Sequence, residues 1–302
     1  MVHQKKKKDR DGLLFLFFMG SLVIWGVSVL LEIVFSKRSE LFPVLIGFCF
    51  YQIANWVCRY FFRDPLFVNT CVSLLHSSLT SASAQVAKAI NQAINKIKVS
   101  KRCNSSGKGL GPVDGIHWSQ QLMICDGWDE LFEHSQLVKA TWGWAYPALC
   151  ISCGYFAYDQ LDMLLHGLYT PSILLHHLLL LGCFTLALYR NVTINYLILT
   201  LICELHSIFL HVRKVRRMAG FRDSNTKFVK IEWFLNMVTF LLARLLSHLL
   251  ITIKLVKDAA KFDQGIELPL ALFGMAGMNL LNVFLGVDIF KAFKREKNSH
   301  RR

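Results

Sequence analysis

The chain has 302 residues, of which 54% are hydrophobic and only 18% are charged, whereas a soluble domain usually carries about 25% charged residues. The apolar residues are concentrated in runs of a bilayer's width, which excludes an ordinary soluble domain and indicates a polytopic membrane protein. The net charge of +14 does not indicate a nucleic-acid partner, because the basic residues lie between the apolar runs and not on one folded face.

The first predicted element is an apolar run over 13–35 that follows a basic segment at 1–12. This run is longer than the apolar region of a secretory signal, and no small-residue cleavage site follows it, so we expect a retained signal-anchor helix. Further spans are predicted over 41–62, 66–87, 142–165, 172–189, 193–212, 228–253 and 267–290. The predicted fold class is therefore all-α, a polytopic transmembrane bundle of about eight spans.

Within this scheme the bundle proper covers 41–290, with an outer loop at 88–141 and a basic tail at 291–302. Lysine and arginine are enriched before the first span, between the sixth and seventh spans and after the last span. Because cytosolic segments carry such an excess, both termini are predicted to be cytosolic.

The outer loop carries two predicted modifications. Asn104 begins the sequon Asn104-Ser105-Ser106 and would be available for glycosylation. Cys103 and Cys125 are the two cysteines outside the spans, and they lie on the oxidising side, so we expect a disulfide between them. The alternative is two free thiols near the membrane surface.

Polar side chains recur at helical spacing within the spans, and each is costly in hydrocarbon unless it faces a partner or a cavity. The stripes are Asn69, Ser73 and His76; Tyr155, Asp159 and Asp162; Glu204, Ser207 and His211; and the pair Asn236 and Arg244. One interpretation is a polar-lined cavity at mid-membrane, and the other is a set of interhelical hydrogen bonds that fixes the packing. The candidate lipid-binding cavity consists of His76, Asp159, His176, His177, Glu204, Ser207, Asn236 and Arg244.

The pair His176-His177 does not indicate a metal site, because adjacent histidines project about 100° apart on a helix. A metal site would need ligands on one face, for example at i and i+4. Histidine clusters of the kind found in membrane di-iron enzymes are also missing from the sequence. We therefore expect no metal and no cofactor.

The polar segments, taken in order, resemble the TLC family, named for the TRAM, LAG1 and CLN8 homology domain. The resemblance covers about 65–295, and its segments are NTCVSLLHS from Asn69, GYFAYDQLD from Gly154, LHH from Leu175, ELHSIFL from Glu204, and the helix from Asn236 to Arg244. The branch of TLC domain-containing proteins 1 and 2 is the most similar. The resemblance implies a helical membrane bundle that handles lipid.

The family includes ceramide synthases, acyl-CoA-dependent acyltransferases whose paired histidines are followed by His-Asp-x-x-Asp on the next helix. Here Cys203, Glu204 and Ser207 stand at those three positions. Amine acylation needs a group that titrates near neutrality, so this departure puts catalysis in doubt. No catalytic residue is assigned, although His176 and His177 would form the acid-base pair if the protein were such an acyltransferase.

The similar branch is associated with plasma-membrane composition and fluidity. The resemblance thus implies a protein that regulates phospholipid acyl chains and limits the incorporation of polyunsaturated ones, with membrane phospholipids or acyl chains as partners and no nucleic acid. The plasma membrane is favoured over the endoplasmic reticulum as its location. Two alternatives stay open, an acyltransferase of the ceramide-synthase type and a transporter or channel component.

Arg244 is expected to have an acidic partner, because an unpaired cation deep in a span is costly. Asp159, Asp162 and Glu204 are the candidates. The placement of Glu204, which resembles that of the family motif, makes it the first choice.

Overall fold

Helices occupy the described part of every predicted span. The computed structural model describes residues 2–82, 138, 144–221, 226–263 and 265–299. Its helices are α1 (Val2–Val34), α2 (Phe42–Phe61), α3 (65–82), α4 (Ala145–His166), α5 (Pro171–Arg190), α6 (Ile194–Thr200), α7 (Glu204–Met218), α8 (Lys227–Thr239), α9 (Ser247–Lys257) and α10 (Glu267–Ser299). Since no strand occurs in these described ranges, the predicted all-α class is confirmed.

In the part of the chain that the structure describes, six helical segments are long and apolar enough to cross a membrane. They are Gly12–Val34, Ser39–Phe61, Pro171–Arg190, Ile194–Met218, Lys227–Lys257 and Glu267–Glu296. The other two predicted spans coincide with α3 and α4, which carry polar stripes and are therefore less apolar. The chain is an integral, multi-pass membrane protein.

Two of the long segments are not regular α-helices. A 3-10 turn at Leu201–Cys203 separates α6 from α7, and a π-helical segment at Phe240–Leu246 joins α8 to α9. A π-helix has a wider turn than an α-helix, so it changes the direction in which the following side chains point. Such segments are frequent at functional sites, and this one contains Arg244.

The helix ends follow local sequence chemistry. α5 begins with Pro171 at its first position, after Thr170, whose hydroxyl accepts a hydrogen bond from the backbone N–H of Ile173. α4 ends at His166 and is capped by Gly167, whose φ of 64° suits glycine at a left-handed cap. These caps place the α4–α5 connection at one end of the bundle.

The last helix is longer than predicted. It continues past residue 290 to Ser299, into the segment expected to be a basic tail. Phe293 packs against Trp233 with the ring centroids 5.1 Å apart, and Glu296 accepts hydrogen bonds from Arg213 and Arg216. These contacts to α7 and α8 hold the final turns of α10 in helical form.

The centre of the bundle is α4, which is buried along most of its length and packs closely on α2. Two glycines allow this approach. A Cβ atom built on Gly154 would lie 2.6 Å from the backbone N of Phe48, and one built on Gly47 would lie 2.7 Å from the backbone O of Ile151. Small residues commonly permit such close packing between membrane helices, and here the contact brings the polar residues of α2 and α4 together.

Candidate functional site

Two aspartates of α4 lie at the centre of a connected polar group. Asp162 accepts hydrogen bonds from Asn55 at 3.0 Å, Arg59 at 2.9 Å and Asn69 at 3.1 Å. The same Asn69 amide donates to Asp159 at 2.7 Å. Because Arg59 carries the positive charge of this group, Asp162 belongs to a satisfied ion pair that links α2, α3 and α4.

Asp159 also faces α5, where His177 Nε2 lies 3.5 Å from its carboxylate. His177 is buried, and its Nδ1 has no hydrogen-bond partner among the described residues. His176 lies beside it, with the two rings 5.5 Å apart, but projects differently and is only half-buried. Of the two adjacent histidines, His177 is thus the one that the structure places against a carboxylate.

His76 of α3 is completely buried. Its Nδ1 lies 3.0 Å from the hydroxyl of Tyr51, and its ring stacks on that of Tyr155 with 3.6 Å between centroids. His76 also lies within electrostatic range of His177 and His211. It therefore joins the aromatic packing of α2 and α4 to the polar interior.

The expected pairing of Arg244 with a carboxylate is wrong. Within the described ranges its guanidinium makes no ion pair; instead it donates to the hydroxyl of Ser207 at 2.8 Å and to Asn282 at 3.5 Å. Glu204, the first choice for a partner, accepts a hydrogen bond from Ser77 at 2.6 Å. Helical spacing could not foresee this, because the π-helical segment alters the facing of Arg244 relative to α8.

His248 lies one turn beyond Arg244 and donates through Nδ1 to the backbone carbonyl of Arg244 at 2.9 Å. A carbonyl can only accept, so this contact requires the proton on Nδ1. In the neutral ring Nε2 is then a bare acceptor, and it is buried with no partner among the described residues. The site thus offers a cation, whose Nε is also unpartnered, next to a hydrogen-bond acceptor.

Other polar atoms in the region are also buried without a partner in the part of the chain that the structure describes. They are His211 Nδ1, Asn236 Oδ1 and Asn282 Nδ2. Buried polar atoms are normally satisfied by protein, water or ligand. Their concentration on α7, α8 and α10 marks one region of the bundle as polar and available for hydrogen bonding.

The predicted cavity residues therefore fall into two groups. His76, Asp159 and His177 lie among α2 to α5, whereas Ser207, Asn236 and Arg244 lie among α7, α8, α10 and the π-helical segment. Glu204 connects them through its bond to Ser77 of α3. His176 is within electrostatic range of both Arg244 and His248, so the two groups are close in space.

Several partners in the site were not predicted from the sequence. Tyr51, Asn55, Arg59 and Ser77 supply hydrogen bonds to the predicted residues. Asn55 and Arg59 carried a usable signal, because a polar and a charged residue four positions apart share one helix face. Asn282 is visible as a polar residue in an apolar run, but nothing in the sequence indicates its contact with Arg244.

Some predictions fall outside the described residues. They are the glycosylation of Asn104, the disulfide between Cys103 and Cys125, and most of the outer loop at 88–141. The cysteines within the described helices are free thiols: Cys49, Cys58, Cys71, Cys150, Cys153, Cys183 and Cys203.

Comparison with known proteins decides the family. The TLC domain profile, TRAM_LAG1_CLN8, matches residues 116–291, more than half of the chain. The chain belongs to the TLC domain family. The resemblance seen in its motifs is thereby confirmed, and a TLC-family protein of this kind is a lipid-related membrane protein.

The relatives that the chain matches include TLC domain-containing proteins 1 and 2. TLC domain-containing protein 2 of Danio rerio is 29% identical over 33% of this chain and 41% of its own length. The human TLC domain-containing protein 2 is 28% identical over 48% of this chain and 55% of its own length. The human TLC domain-containing protein 1 is 27% identical over 38% of this chain and 48% of its own length. The chain spans about half the length of the curated relatives that it matches. No solved structure matches it.

In this TLC protein, Cys203, Glu204 and Ser207 occupy the three positions of the ceramide-synthase motif, and each makes a polar contact. Cys203 Sγ lies 4.0 Å from the carboxylate of Glu204, and Ser207 accepts from Arg244. The hydroxyl of Ser207 is therefore committed to binding a cation. The three side chains contribute polarity to the interior, and the carboxyl group of Glu204 is bound by the neutral donor Ser77.

Proposed function

We propose that this TLC protein handles membrane phospholipids, and that it regulates their acyl-chain composition and membrane fluidity by limiting the incorporation of polyunsaturated chains. The main support is Arg244. A cation inside a membrane bundle normally meets a carboxylate, yet the partners of Arg244 are the neutral Ser207 and Asn282. An anionic lipid head group would supply the missing charge.

The neighbours of Arg244 suit such a head group. The free Nε of Arg244 is a charge-assisted donor for a phosphate or carboxylate oxygen. Nε2 of His248 can accept a hydrogen bond from a hydroxyl or ammonium group of the same molecule. The two together match an amphipathic lipid that carries both an anionic oxygen and a hydrogen-bond donor.

The test is lipid mass spectrometry of cells that lack the protein and re-express either the wild type or Arg244→Gln. We expect Arg244→Gln to accumulate to the wild-type level. The phospholipid acyl-chain composition of these cells should stay the same as in cells that lack the protein. The matched control is Arg216→Gln, because Arg216 is buried in ion pairs with Glu232 and Glu296. Its loss leaves buried carboxylates unpaired, costs about 3 to 5 kcal/mol, and should lower the protein level.

A wild-type phospholipid profile in cells expressing Arg244→Gln would contradict the head-group role. A change confined to ceramides, with phospholipids untouched, would contradict the proposed function and favour the second candidate. That candidate is an acyl-CoA-dependent acyltransferase, favoured by one observation: His177 is held by Asp159 and has a free ring nitrogen. A histidine oriented by a carboxylate is how a general base is arranged, and His177→Gln would then abolish acyl transfer to a sphingoid amine.

We propose the plasma membrane as the location, with both termini in the cytosol. The basic clusters support the cytosolic termini, and the resemblance to the branch of TLC domain-containing proteins 1 and 2 supports the location. Surface biotinylation of intact cells tests the location: the protein should be recovered in the biotinylated fraction, and its exclusive recovery with endoplasmic-reticulum membranes would overturn the assignment.

A further inference from the structure

A second candidate site lies away from Arg244, near the opposite end of the bundle from the Arg216 ion pairs. It is an open, mostly apolar groove between α5, α6, α9 and α10. Leu179 and Met278 line it at the end that lies farthest along α5 and α10 from its charged residues, and Ala187 and Ala271 line it about one turn from those residues. The charged side chains that line it, Arg190 and Glu267, lie where α5 ends and α10 begins.

The length of this groove matches one leaflet of a bilayer. From Leu179 to Arg190 helix α5 rises about 16 Å, at 1.5 Å per residue, and the hydrocarbon core of a bilayer is about 30 Å thick. The charged end lies at the ends of the apolar spans, which is the level of the head groups. The length and polarity of the groove therefore match a lipid whose acyl chain lies in the groove and whose head group lies at its charged end.

Small residues of α10 set how closely it approaches α5. A Cβ atom on Gly274 would lie 2.7 Å from Sγ of Cys183, and one on Gly277 would lie 3.0 Å from Leu179. α10 thus packs tightly on α5 at these two glycines, and Ala271 adds little bulk nearer the mouth. A large side chain in place of Ala271 would project into the groove, because Ala271 lines it.

The mouth carries one charge of each sign. Arg190 Nε lies 3.4 Å from the carboxylate of Glu267, and the Arg190 side chain is 60% exposed. The Glu267 side chain is 18% exposed, so the pair is open to a ligand on its Arg190 side. Its two charges are complementary to the phosphate and the ammonium group of a zwitterionic phospholipid.

The other charges near the mouth are already engaged. Asp258 binds Lys254 and Lys261 at 2.9 and 2.7 Å and accepts a hydrogen bond from Tyr196, which lines the groove. This group fixes the end of α9 against α6. Arg190 and Glu267 are therefore the charged groups of the lining that remain for a head group.

We propose that this groove binds one acyl chain of a zwitterionic phospholipid from the adjacent leaflet, with its head group at Arg190 and Glu267. This proposal rests on the proposed function, because it takes phospholipid as the ligand. It extends that function by giving the protein a site that contacts the acyl chain itself. A straight chain fits a narrow groove about one leaflet long, whereas a chain bent by several cis double bonds does not. The proposal therefore predicts a preference for saturated and monounsaturated chains.

The experiment uses the purified full-length protein in liposomes that contain phosphatidylcholine with a photoactivatable group in one acyl chain. Labelled positions are found by mass spectrometry of peptides. We expect labelling of groove-lining residues to exceed that of lipid-facing Leu280 and Phe284 at least fivefold, and unlabelled monounsaturated phosphatidylcholine to compete better than polyunsaturated phosphatidylcholine. Equal labelling of all lipid-facing positions would overturn the proposal.

Two kinds of variant separate a site from general lipid contact. Ala271→Phe fills the groove and should remove most of the groove labelling, whereas Leu280→Phe, on the exposed face of the same helix, should leave it unchanged. If Ala271→Phe does not fold, Arg190→Gln serves instead, because it alters only the exposed mouth and should weaken competition by phosphatidylcholine severalfold. Labelling that persists in Ala271→Phe, or competition unaffected by Arg190→Gln, would refute the site.

The same assay distinguishes failure of this site from failure of the proposed function. Arg244→Gln leaves the groove intact and should retain full labelling. If cells without the protein show normal phospholipids while the groove is still labelled specifically, the proposed function fails and the binding site stands. If phospholipids change in those cells but labelling is uniform, the groove proposal fails alone.

Discussion

Buried charge is handled in two different ways in this bundle, and the contrast lies in single residues. Arg216 is enclosed by Glu232 and Glu296, and Arg59 is paired with Asp162, so both are neutralised within the protein. Arg244 is held by uncharged oxygens. A charged side chain in a membrane interior is least costly when an opposite charge neutralises it. A cation with only neutral partners is therefore suited to binding a ligand and poorly suited to stabilising the fold.

Asp258 gives a prediction for pH. Burial raises the pKa of its carboxyl group, but hydrogen bonds from Lys261, Tyr196 and Lys254 outweigh that effect and hold the pKa below its usual range. Because the pKa of Asp258 is lower in the folded protein than in the unfolded chain, the ionised carboxylate stabilises the fold above the unfolded pKa of about 4. This stabilisation is lost as the pH falls through the folded pKa.

We therefore expect the melting temperature of the detergent-purified wild type to fall more steeply below pH 4 than that of Asp258→Asn. At pH 7 the variant should melt several degrees lower, since each kcal/mol corresponds to about 2 to 4 °C in a protein of this size. Glu40→Gln, at an exposed carboxylate, is the control and should follow the wild type. Identical acid profiles for wild type and Asp258→Asn would remove the assigned role.

At the scale of helices, the sequence predicts positions better than contacts. Apolar runs and polar stripes place every described helix, because burial in lipid imposes a length and a period. The close contact of α2 with α4 depends on Gly47 and Gly154, which look like any other glycine in an apolar run. The π-helical segment at Phe240–Leu246 likewise has no distinct sequence pattern, and it is the reason that the expected partner of Arg244 was wrong.

Gly154→Ala tests the importance of the α2–α4 contact. The new methyl group would meet the backbone of Val44 and Phe48, which cannot move aside as a flexible side chain can. We expect a loss of about 1 to 3 kcal/mol or more from overpacking, measured as a lower melting temperature in detergent. Gly182→Ala is the matched control, because a Cβ atom there has nothing within 4 Å and alanine favours the helix. If both variants melt together, the glycine contact does not matter.

At the scale of the whole molecule, the family and the helical bundle could be predicted from sequence, and the site only in part. The polar residues were identified as inward-facing because hydrocarbon penalises them individually. Which helix supplies each partner depends on how eight predicted spans are arranged, and one sequence does not contain that information. The hydrogen bond between Ser77 and Glu204 is an example, because it joins residues 127 positions apart in the sequence. The orientation of the bundle, by contrast, follows from charge and can be tested directly.

If both termini are cytosolic, Asn104 must be on the outer or lumenal side and should carry a glycan. The wild-type protein expressed in animal cells should then shift in mobility on treatment with a glycosidase. Asn104→Gln should abolish the shift, and so should Ser106→Ala, which removes the sequon while keeping the asparagine. The second sequon, at Asn191, caps the end of α5 and lies too close to the membrane to replace it. Labelling of a cysteine placed at residue 104 when only the plasma membrane is permeabilised and organelle membranes stay intact, with no labelling of intact cells, would reverse the orientation. It would also reverse the leaflet from which the groove between α5 and α10 takes its lipid.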